Sequence, residues 1–124
     1  MILADTSVWI AHLRASDPKM ESLLLRGKIA MHPFVVAEVA LGSLKNRRQK
    51  LEAMDSLRKV KVAQMSEVRR MIEAHALFAK GIGLVDAHLV ASCLLTPGTQ
   101  FWTRDAALSR VAQSLGITFK TPTP

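Results

Sequence analysis

Three absences bound what this protein can be: the sequence has no tyrosine, a single cysteine and no long uninterrupted apolar run. Cys93 alone cannot form an internal disulfide, which excludes a disulfide-stabilised secreted scaffold and predicts a reducing, cytoplasmic location. Its apolar context, AHLVASCLL, is typical of a small buried side chain. Apolar stretches end well short of the about 20 residues that a membrane helix needs. No basic segment precedes the first apolar run, so neither a membrane span nor a secretion signal is expected.

Acidic residues are also in the minority. Seventeen Lys and Arg stand against ten Asp and Glu, which gives a formal net charge of +7 over 124 residues. A chain with this excess attracts polyanions, and nucleic acid is the first candidate. Aromatic residues make up only 5% of the chain, so broad stacking platforms for single strands are not expected.

The length predicts one domain over residues 1–124, with residues 120–124 as a flexible tail. Short apolar runs predict strands, and amphipathic segments between them predict helices. The predicted strands are residues 1–5, 28–32, 60–65, 100–103 and 117–120. The predicted helices are residues 6–15, 16–27, 33–44, 46–59, 66–81, 84–98 and 104–116, with Ser66 as the cap of the fifth.

This alternation predicts an α/β fold with a mainly parallel sheet. In such sheets, ligands bind at the carboxyl ends of the strands. Asp5 ends the first predicted strand, and Asp105 follows the fourth. Each lies where a strand gives way to a helix, so each is either a helix N-cap or part of a site. We expect the Asp5 carboxylate to point away from the helix that follows it, toward such a site.

Two other acids lie on apolar helix faces. At helical spacing, Glu38 shares its face with Phe34, Val35 and Leu41 in the segment FVVAEVALG. Asp86 is placed similarly in LVDAHLVASCLL. Burying an unpaired carboxylate costs several kcal/mol. The alternatives are a basic partner or the edge of the core for Glu38, and a cap role for Asp86.

A hard divalent cation would satisfy all four carboxylates at once. Mg²⁺ and Mn²⁺ prefer oxygen ligands, and no Cys–His cluster has the spacing of a zinc site. The histidines occur singly and are expected to be core or surface residues: His12, His32, His75 and His88. A carboxylate-bound metal in a basic protein indicates phosphate chemistry.

Four strings carry a resemblance to a known family: MILADTSVWI, VVAEVALG, GLVDAHLVAS, and WTRDAALSRVA followed by LGI. In this order and spacing, over almost the whole chain, they resemble the PIN-domain ribonucleases, and more specifically the VapC-type toxins of toxin–antitoxin pairs. The resemblance implies a three-layer, PIN-like α/β fold with a mainly parallel sheet of four to five short strands flanked by helices. It implies a Mg²⁺- or Mn²⁺-dependent endoribonuclease, a homodimer, and inhibition by a cognate antitoxin.

The resemblance also implies residue roles. Acids that ligate the metal or complete its pocket correspond to Asp5, Glu38, Asp86 and Asp105. Hydroxyls that orient the carboxylates or the phosphate correspond to Thr6, Ser7 and Thr103. Two departures are visible. Ser7 stands where many relatives have Asn, and Asp105 is followed by Ala106 and Ala107 instead of a further acid that could serve a second metal.

Basic side chains around the pocket are expected to position the RNA. Candidates come from the runs KNRRQK (45–50) and RKVK (58–61), which a solvated helix face would explain equally well. The candidate RNA-contacting residues are Lys45, Arg47, Arg48, Lys50 and Arg104.

Two other functions fit parts of the pattern. A receiver-type phosphoacceptor domain is also α/β with acids at strand ends, but it needs an acid ending the third strand, and VKVAQM has none. A non-catalytic RNA- or protein-binding module of PIN shape is the other alternative, and the retained acids disfavour it.

Overall fold

The structure is a computed structural model that describes residues 1–120. Its strands are β1 (Ile2–Ala4), β2 (Ile29–Ala30) and β3 (Gln100–Trp102). Its helices are α1 (Thr6–Arg14), α2 (Pro18–Leu25), α3 (Pro33–Ala40), α4 (Arg47–Asp55), α5 (Met65–Ala74), α6 (Leu84–Leu95) and α7 (Ala106–Ser114). The predicted tail at residues 120–124 lies outside the described residues, except for Lys120.

The sheet is parallel, with β1 in the centre and the order β2-β1-β3. Leu3 is in register with Ala30 on one side and with Phe101 on the other, and all three are buried. Because all strands run the same way, their carboxyl ends meet at one edge, where Asp5 follows β1 and Thr103 follows β3. The predicted α/β class with a parallel sheet is confirmed.

The strand count is lower than predicted. Residues 60–65 are not a strand, because their backbone amides donate to side chains in α6 and at its C-cap. Lys61 N–H donates to Thr96 Oγ1 at 2.9 Å, and Ala63 N–H donates to Ser92 Oγ at 3.1 Å. Residues 117–120 form only an isolated parallel bridge between Thr118 and Phe101, and a second bridge joins Lys59 to Met31. Both bridges extend the three-stranded sheet by a single residue pair.

The helices form two packed groups around the sheet. Helix α3 packs against both α1 and α4, α5 packs against α6, and α6 also contacts β3. Cys93 is buried in α6, as predicted, and its thiol donates to the Thr99 carbonyl at 3.3 Å. Burial raises the pKa of the Cys93 thiol to about 12, so it stays protonated. No helix within residues 1–120 combines the length and apolarity required to cross a bilayer.

Helix α5 differs most from its predicted span, at both ends. It begins after Gln64, whose N–H donates to Glu67 Oε1 at 2.9 Å, and not after Ser66. It ends at Ala74, and not at Gly81, because Ala76 adopts a left-handed φ of 50°. Leu77 N–H then donates to the Ile72 carbonyl and Ala76 N–H to the Glu73 carbonyl, which together form a Schellman motif.

Candidate functional site

Asp5 is the most buried acid at the carboxyl edge of the sheet, with 4% of its surface exposed. Its Oδ1 accepts the Val8 N–H at 3.1 Å, which caps α1, and also the Ser7 hydroxyl at 2.5 Å. Its Oδ2 accepts the Thr103 hydroxyl. The prediction that the carboxylate points away from α1 was therefore wrong for Oδ1, which serves as the helix cap.

Two backbone amides hold the hydroxyls that contact Asp5. Arg104 N–H donates to Ser7 Oγ at 3.1 Å, and Asp105 N–H donates to Thr103 Oγ1 at 3.0 Å. Each hydroxyl thus accepts a bond from the loop after β3 and donates one to Asp5. No sequence pattern signals these amides, because every residue except proline carries the same donor.

Glu38 is held at the same edge through α3, which packs against α1. The Thr6 hydroxyl donates to Glu38 Oε1 at 2.5 Å, so the residue next to Asp5 orients a second carboxylate. The prediction that Leu41 lies with Glu38 on an apolar face of the helix is wrong, since Leu41 is 89% exposed. The buried side of α3 carries Val35 and Val39, and Glu38 lies half-buried at its border.

His32 fixes the start of α3 and thereby the position of Glu38. The ring is fully buried, and its Nδ1 accepts the Phe34 N–H at 3.0 Å as the N-cap. Burial, with a contribution from His88, lowers the pKa of His32 to about 4. The ring is therefore neutral at pH 7 and able to accept this bond, which agrees with the prediction of a core histidine.

Asp86 lies in the first turn of α6, half-buried, with Oδ2 accepting the Gly83 N–H at 3.3 Å. Burial raises the pKa of Asp86, the Gly83 bond opposes that rise, and the charges of Asp5, Asp105 and Glu38 raise the pKa further. Three of the predicted acids are thus close enough to act on the fourth, Asp86. Within the described residues, no positively charged side chain contributes to the balance at Asp86.

Asp105 occupies the exposed side of the group. Its Oδ1 accepts the Leu108 N–H at 2.8 Å, so Asp105 is the N-cap of α7. This was one of the two roles predicted for it. Because its own N–H is bound to Thr103, the start of α7 is tied to Asp5 through one hydroxyl. We refer to Asp5, Glu38, Asp86 and Asp105 as the acidic cluster.

The acidic cluster fits a hard divalent cation by its donor chemistry. Its ligating atoms are carboxylate oxygens, supported by the hydroxyls of Thr6, Ser7 and Thr103. Across residues 1–120, however, no group of three or more acid, histidine or cysteine side chains already surrounds one point as metal ligands. Holding one ion between all four carboxylates would therefore require them to move from their present positions.

The predicted RNA-contacting residues are spread over two regions. Lys45 and Lys50, together with Arg14, border a cavity of about 310 Å³ between α1, α3 and α4. Arg47 donates to the carbonyls of Ala40 and Gly42, where it caps the end of α3. Arg48 is exposed on α4, and Arg104 is exposed beside the acidic cluster. Only Arg104 is adjacent in sequence to a residue of the cluster.

Comparison with known proteins identifies relatives of the whole fold. The family model described as the PIN domain matches residues 2–114, a span that contains the entire acidic cluster. Two curated proteins of Mycobacterium tuberculosis, from strains CDC 1551 / Oshkosh and ATCC 25618 / H37Rv, are each named Ribonuclease VapC32. Each is 41% identical over 117 residues, which is 94% of this chain and 94% of the relative. No solved structure matches the chain significantly.

Proposed function

This chain belongs to the PIN-domain family, and from that premise we propose that it is a divalent-metal-dependent endoribonuclease of the VapC type. The observation that carries the proposal is the acidic cluster, in which three carboxylates act on Asp86 without an opposing positive side chain among the described residues. The chain as a whole has a net charge of +7. Carboxylates that lie together at a strand edge without a positive partner therefore favour the binding of a cation, and not a general role in balancing the charge of the chain. The similarity to Ribonuclease VapC32 favours RNA as the substrate.

The acidic cluster would hold Mg²⁺ or Mn²⁺, which when bound would activate water and neutralise charge on the phosphodiester. The chain's own contribution is positioning. Ser7 and Thr103 fix the two oxygens of Asp5, and Thr6 fixes Glu38. Water would then attack the phosphorus in line and lose a proton, and the bond from phosphorus to the 3′ oxygen would break. The 3′ oxygen would take up a proton and leave as a hydroxyl, so the other product would carry a 5′-phosphate.

Family membership excludes the receiver-domain alternative, since the match covers residues 2–114 with a PIN domain. A non-catalytic PIN-shaped binding module is the remaining alternative, and the cleavage assay below separates it from a nuclease. The hydroxyl contacts to Asp5 and Glu38 favour the nuclease, because a mere binding module would not need two carboxylates held in fixed orientations.

The VapC assignment extends to partners. We propose that the chain acts as the toxin of a type II toxin–antitoxin pair, as a single cytoplasmic domain that forms a homodimer and is inhibited by a cognate antitoxin. Similarity to VapC32 along 94% of both chains supports these assignments. Size-exclusion chromatography with light scattering measures the oligomeric state directly, and a monomer at micromolar concentration would contradict the dimer.

The decisive experiment is RNA cleavage by the purified protein with Mg²⁺ or Mn²⁺. We expect Asp5→Asn and Asp86→Asn each to lower the cleavage rate by at least about 100-fold, the upper range for changes that disturb residues supporting a metal ligand. Asp55→Asn is the matched control, because Asp55 is exposed at the end of α4 outside the acidic cluster. It should cut RNA at the wild-type rate.

Wild-type cleavage by both Asp5→Asn and Asp86→Asn would refute the site assignment. Metal binding with no cleavage of any RNA tested would favour the non-catalytic module. Circular dichroism checks that each variant is folded, so that a lost activity is assigned to the missing carboxylate.

A further inference from the structure

A second concave site lies beyond the acidic cluster, between α7 and the segment that joins α5 to α6. This cavity of about 320 Å³ is lined by exposed polar and basic side chains from both sides and by four apolar residues between them. The polar and basic residues are His75, Lys80, Arg110 and Ser114, and the apolar ones are Ala76, Leu77, Ala107 and Val111. No acidic residue among residues 1–120 lines it. We call it the basic cavity. Its charge is opposite to that of the acidic cluster, so it suits an anion.

The backbone at the basic cavity is strained at Ala76, which lines it, and at Ala79, which precedes Lys80 and does not line it. Ala76 and Ala79 adopt left-handed φ values of 50° and 57°, and they are two of only three non-glycine residues within 1–120 with a positive φ. Strain of this kind is concentrated at functional sites, where the surrounding structure maintains it. Here it directs the chain so that His75 and Lys80 face α7.

The same segment is packed closely on α7. Leu77 is buried between the two strained alanines, and a Cβ placed on Gly81 would lie 3.6 Å from Ala107 Cβ. Lys80 is adjacent to this close approach. The backbone on both sides of the basic cavity is thus held by packing, and the side chains of Lys80 and Arg110 are exposed.

Helix α7 connects the basic cavity to the acidic cluster. Asp105 caps its start, and Arg110 lies five residues later, about 7.5 Å along the axis at 1.5 Å per residue. The basic cavity and the acidic cluster thus lie along one helix, and a single RNA strand can pass both. Arginine, lysine and hydroxyl donors are the usual ligands of such a group.

We propose that the basic cavity binds a backbone phosphate of the RNA strand that is cleaved at the acidic cluster. This assignment rests on the proposed ribonuclease function. It adds Lys80 and Arg110, with His75 and Ser114, to the surface that contacts RNA. Lys45 and Lys50 line a different cavity, so the two groups are tested separately.

The test is RNA binding without divalent ions, so that cleavage plays no part. A single-stranded oligonucleotide is titrated with the protein in chelator over a range of salt concentrations. The double variant Lys80→Ala with Arg110→Ala should bind about tenfold more weakly at low salt, the loss expected for one charged hydrogen bond. Its slope of log K against log salt should become shallower by about 0.7 for each phosphate that the variant no longer neutralises.

The matched control removes one arginine and one lysine elsewhere: Arg26→Ala with Lys28→Ala. Both residues are exposed just before β2, at the amino edge of the sheet and opposite the acidic cluster. This variant has the same net charge as the test variant and should keep the wild-type slope. Ser114→Asp, which adds an acid to the cavity and removes no cation, should also weaken binding.

An equal loss of affinity in test and control variants, or an unchanged slope in the test variant, would overturn the basic cavity as a phosphate site. These results would leave the ribonuclease intact if the wild type still cuts RNA with Mg²⁺. Conversely, a selective fall in the slope with no cleavage under any metal would support the cavity and refute the proposed function. Thermal unfolding confirms that the exposed substitutions leave the fold unchanged.

Discussion

At the scale of single residues, Asp86 is the member of the acidic cluster whose surroundings oppose its charge. Burial raises its pKa, and the charges of three neighbouring carboxylates raise it further. Its unfolded-state pKa is the ordinary one of about 3.9. The folded protein therefore holds the Asp86 proton at pH values where the unfolded chain has lost it. Stability from this group is present at low pH and is lost as pH rises above about 3.9.

Asp86→Asn should remove the loss of folding stability that accompanies ionisation of Asp86 as pH rises. In chelator at pH 7, we expect the variant to have a higher melting temperature than the wild type, and we expect the difference to shrink as pH falls toward 4. The asparagine oxygen can still accept the Gly83 N–H, so the helix start is retained. Melting curves of both proteins from pH 4 to 8 measure the effect.

Asp55→Asn serves as the control for a carboxylate removed from an exposed position, and its difference from the wild type should not depend on pH in this way. A variant at Asp86 that is less stable than the wild type at pH 7 would show that the carboxylate is already compensated. Asp86 would then not be part of an uncompensated cluster.

The four acids of the cluster could be singled out from the sequence because each lies in or directly after an apolar segment, where a charged side chain is unusual. Asp5 and Asp105 ended or followed apolar strands, and Glu38 and Asp86 interrupted apolar helices. What the sequence could not separate was the cap role from the site role, since Asp5 Oδ1 caps α1 while its Oδ2 accepts Thr103. The residues of the basic cavity were missed because they are scattered, and only runs of charge were visible.

At the scale of elements, the ends of helices show what local sequence determines. Three helices, α2, α5 and α7, end with the same pair of Schellman hydrogen bonds. The left-handed residue is Gly27 after α2 and Gly116 after α7, and both were visible as stop signals. After α5 it is Ala76, which carries no such signal, so the helix was predicted to continue to Gly81.

Ala76→Gly should therefore stabilise the protein. Relief of the left-handed alanine gains about 1–2 kcal/mol, and the greater freedom of glycine in the unfolded chain offsets about 0.5–1 kcal/mol. The expected net gain is about 0.5–1 kcal/mol, or a few degrees in melting temperature. Urea unfolding of the variant and the wild type measures it.

Ala53→Gly is the matched control, since Ala53 is an exposed residue inside α4. The same chemical change should there destabilise the protein by about 1 kcal/mol. Destabilisation of similar size at both positions would show that Ala76 is not strained. The shape assigned to the wall of the basic cavity would then lose one of its supports.

Strands were predicted less well than helices, because contacts with residues distant in the sequence decide whether a short run forms a strand. The alternation in VKVAQM favoured a strand, yet Ser92 of α6 and Thr96 just after it accept the amides of Ala63 and Lys61. Residues about thirty positions apart decide the outcome. The backbone amides of a short apolar run next to a sheet can donate to side-chain hydroxyls as readily as to another strand. No window of local sequence distinguishes the two cases.

At the scale of the whole molecule, two opposite charge distributions coexist. The chain carries a net charge of +7, while the acidic cluster gathers four carboxylates at one edge of the sheet. The surface as a whole attracts RNA, and the cluster alone would repel the phosphate that has to approach it. A bound divalent cation would offset part of the negative charge of the cluster, so global stability and RNA cleavage should both depend on the same ion.

Mg²⁺ or Mn²⁺ should therefore raise the melting temperature of the wild-type protein. A ligand that binds only the folded state stabilises it by about 2.7 kcal/mol when present at 100 times its dissociation constant. Differential scanning fluorimetry over a range of metal concentrations measures this, with NaCl at equal ionic strength to account for screening. Asp5→Asn should abolish most of the shift because Asp5 is the buried member of the cluster, whereas Asp55→Asn should keep it.

If the wild type shows no shift at metal concentrations that support RNA cleavage, the acidic cluster does not hold the ion before RNA binds, and the substrate phosphate must supply the missing ligands. If Asp5→Asn and the wild type shift equally, the ion binds elsewhere and the cluster is not the metal site.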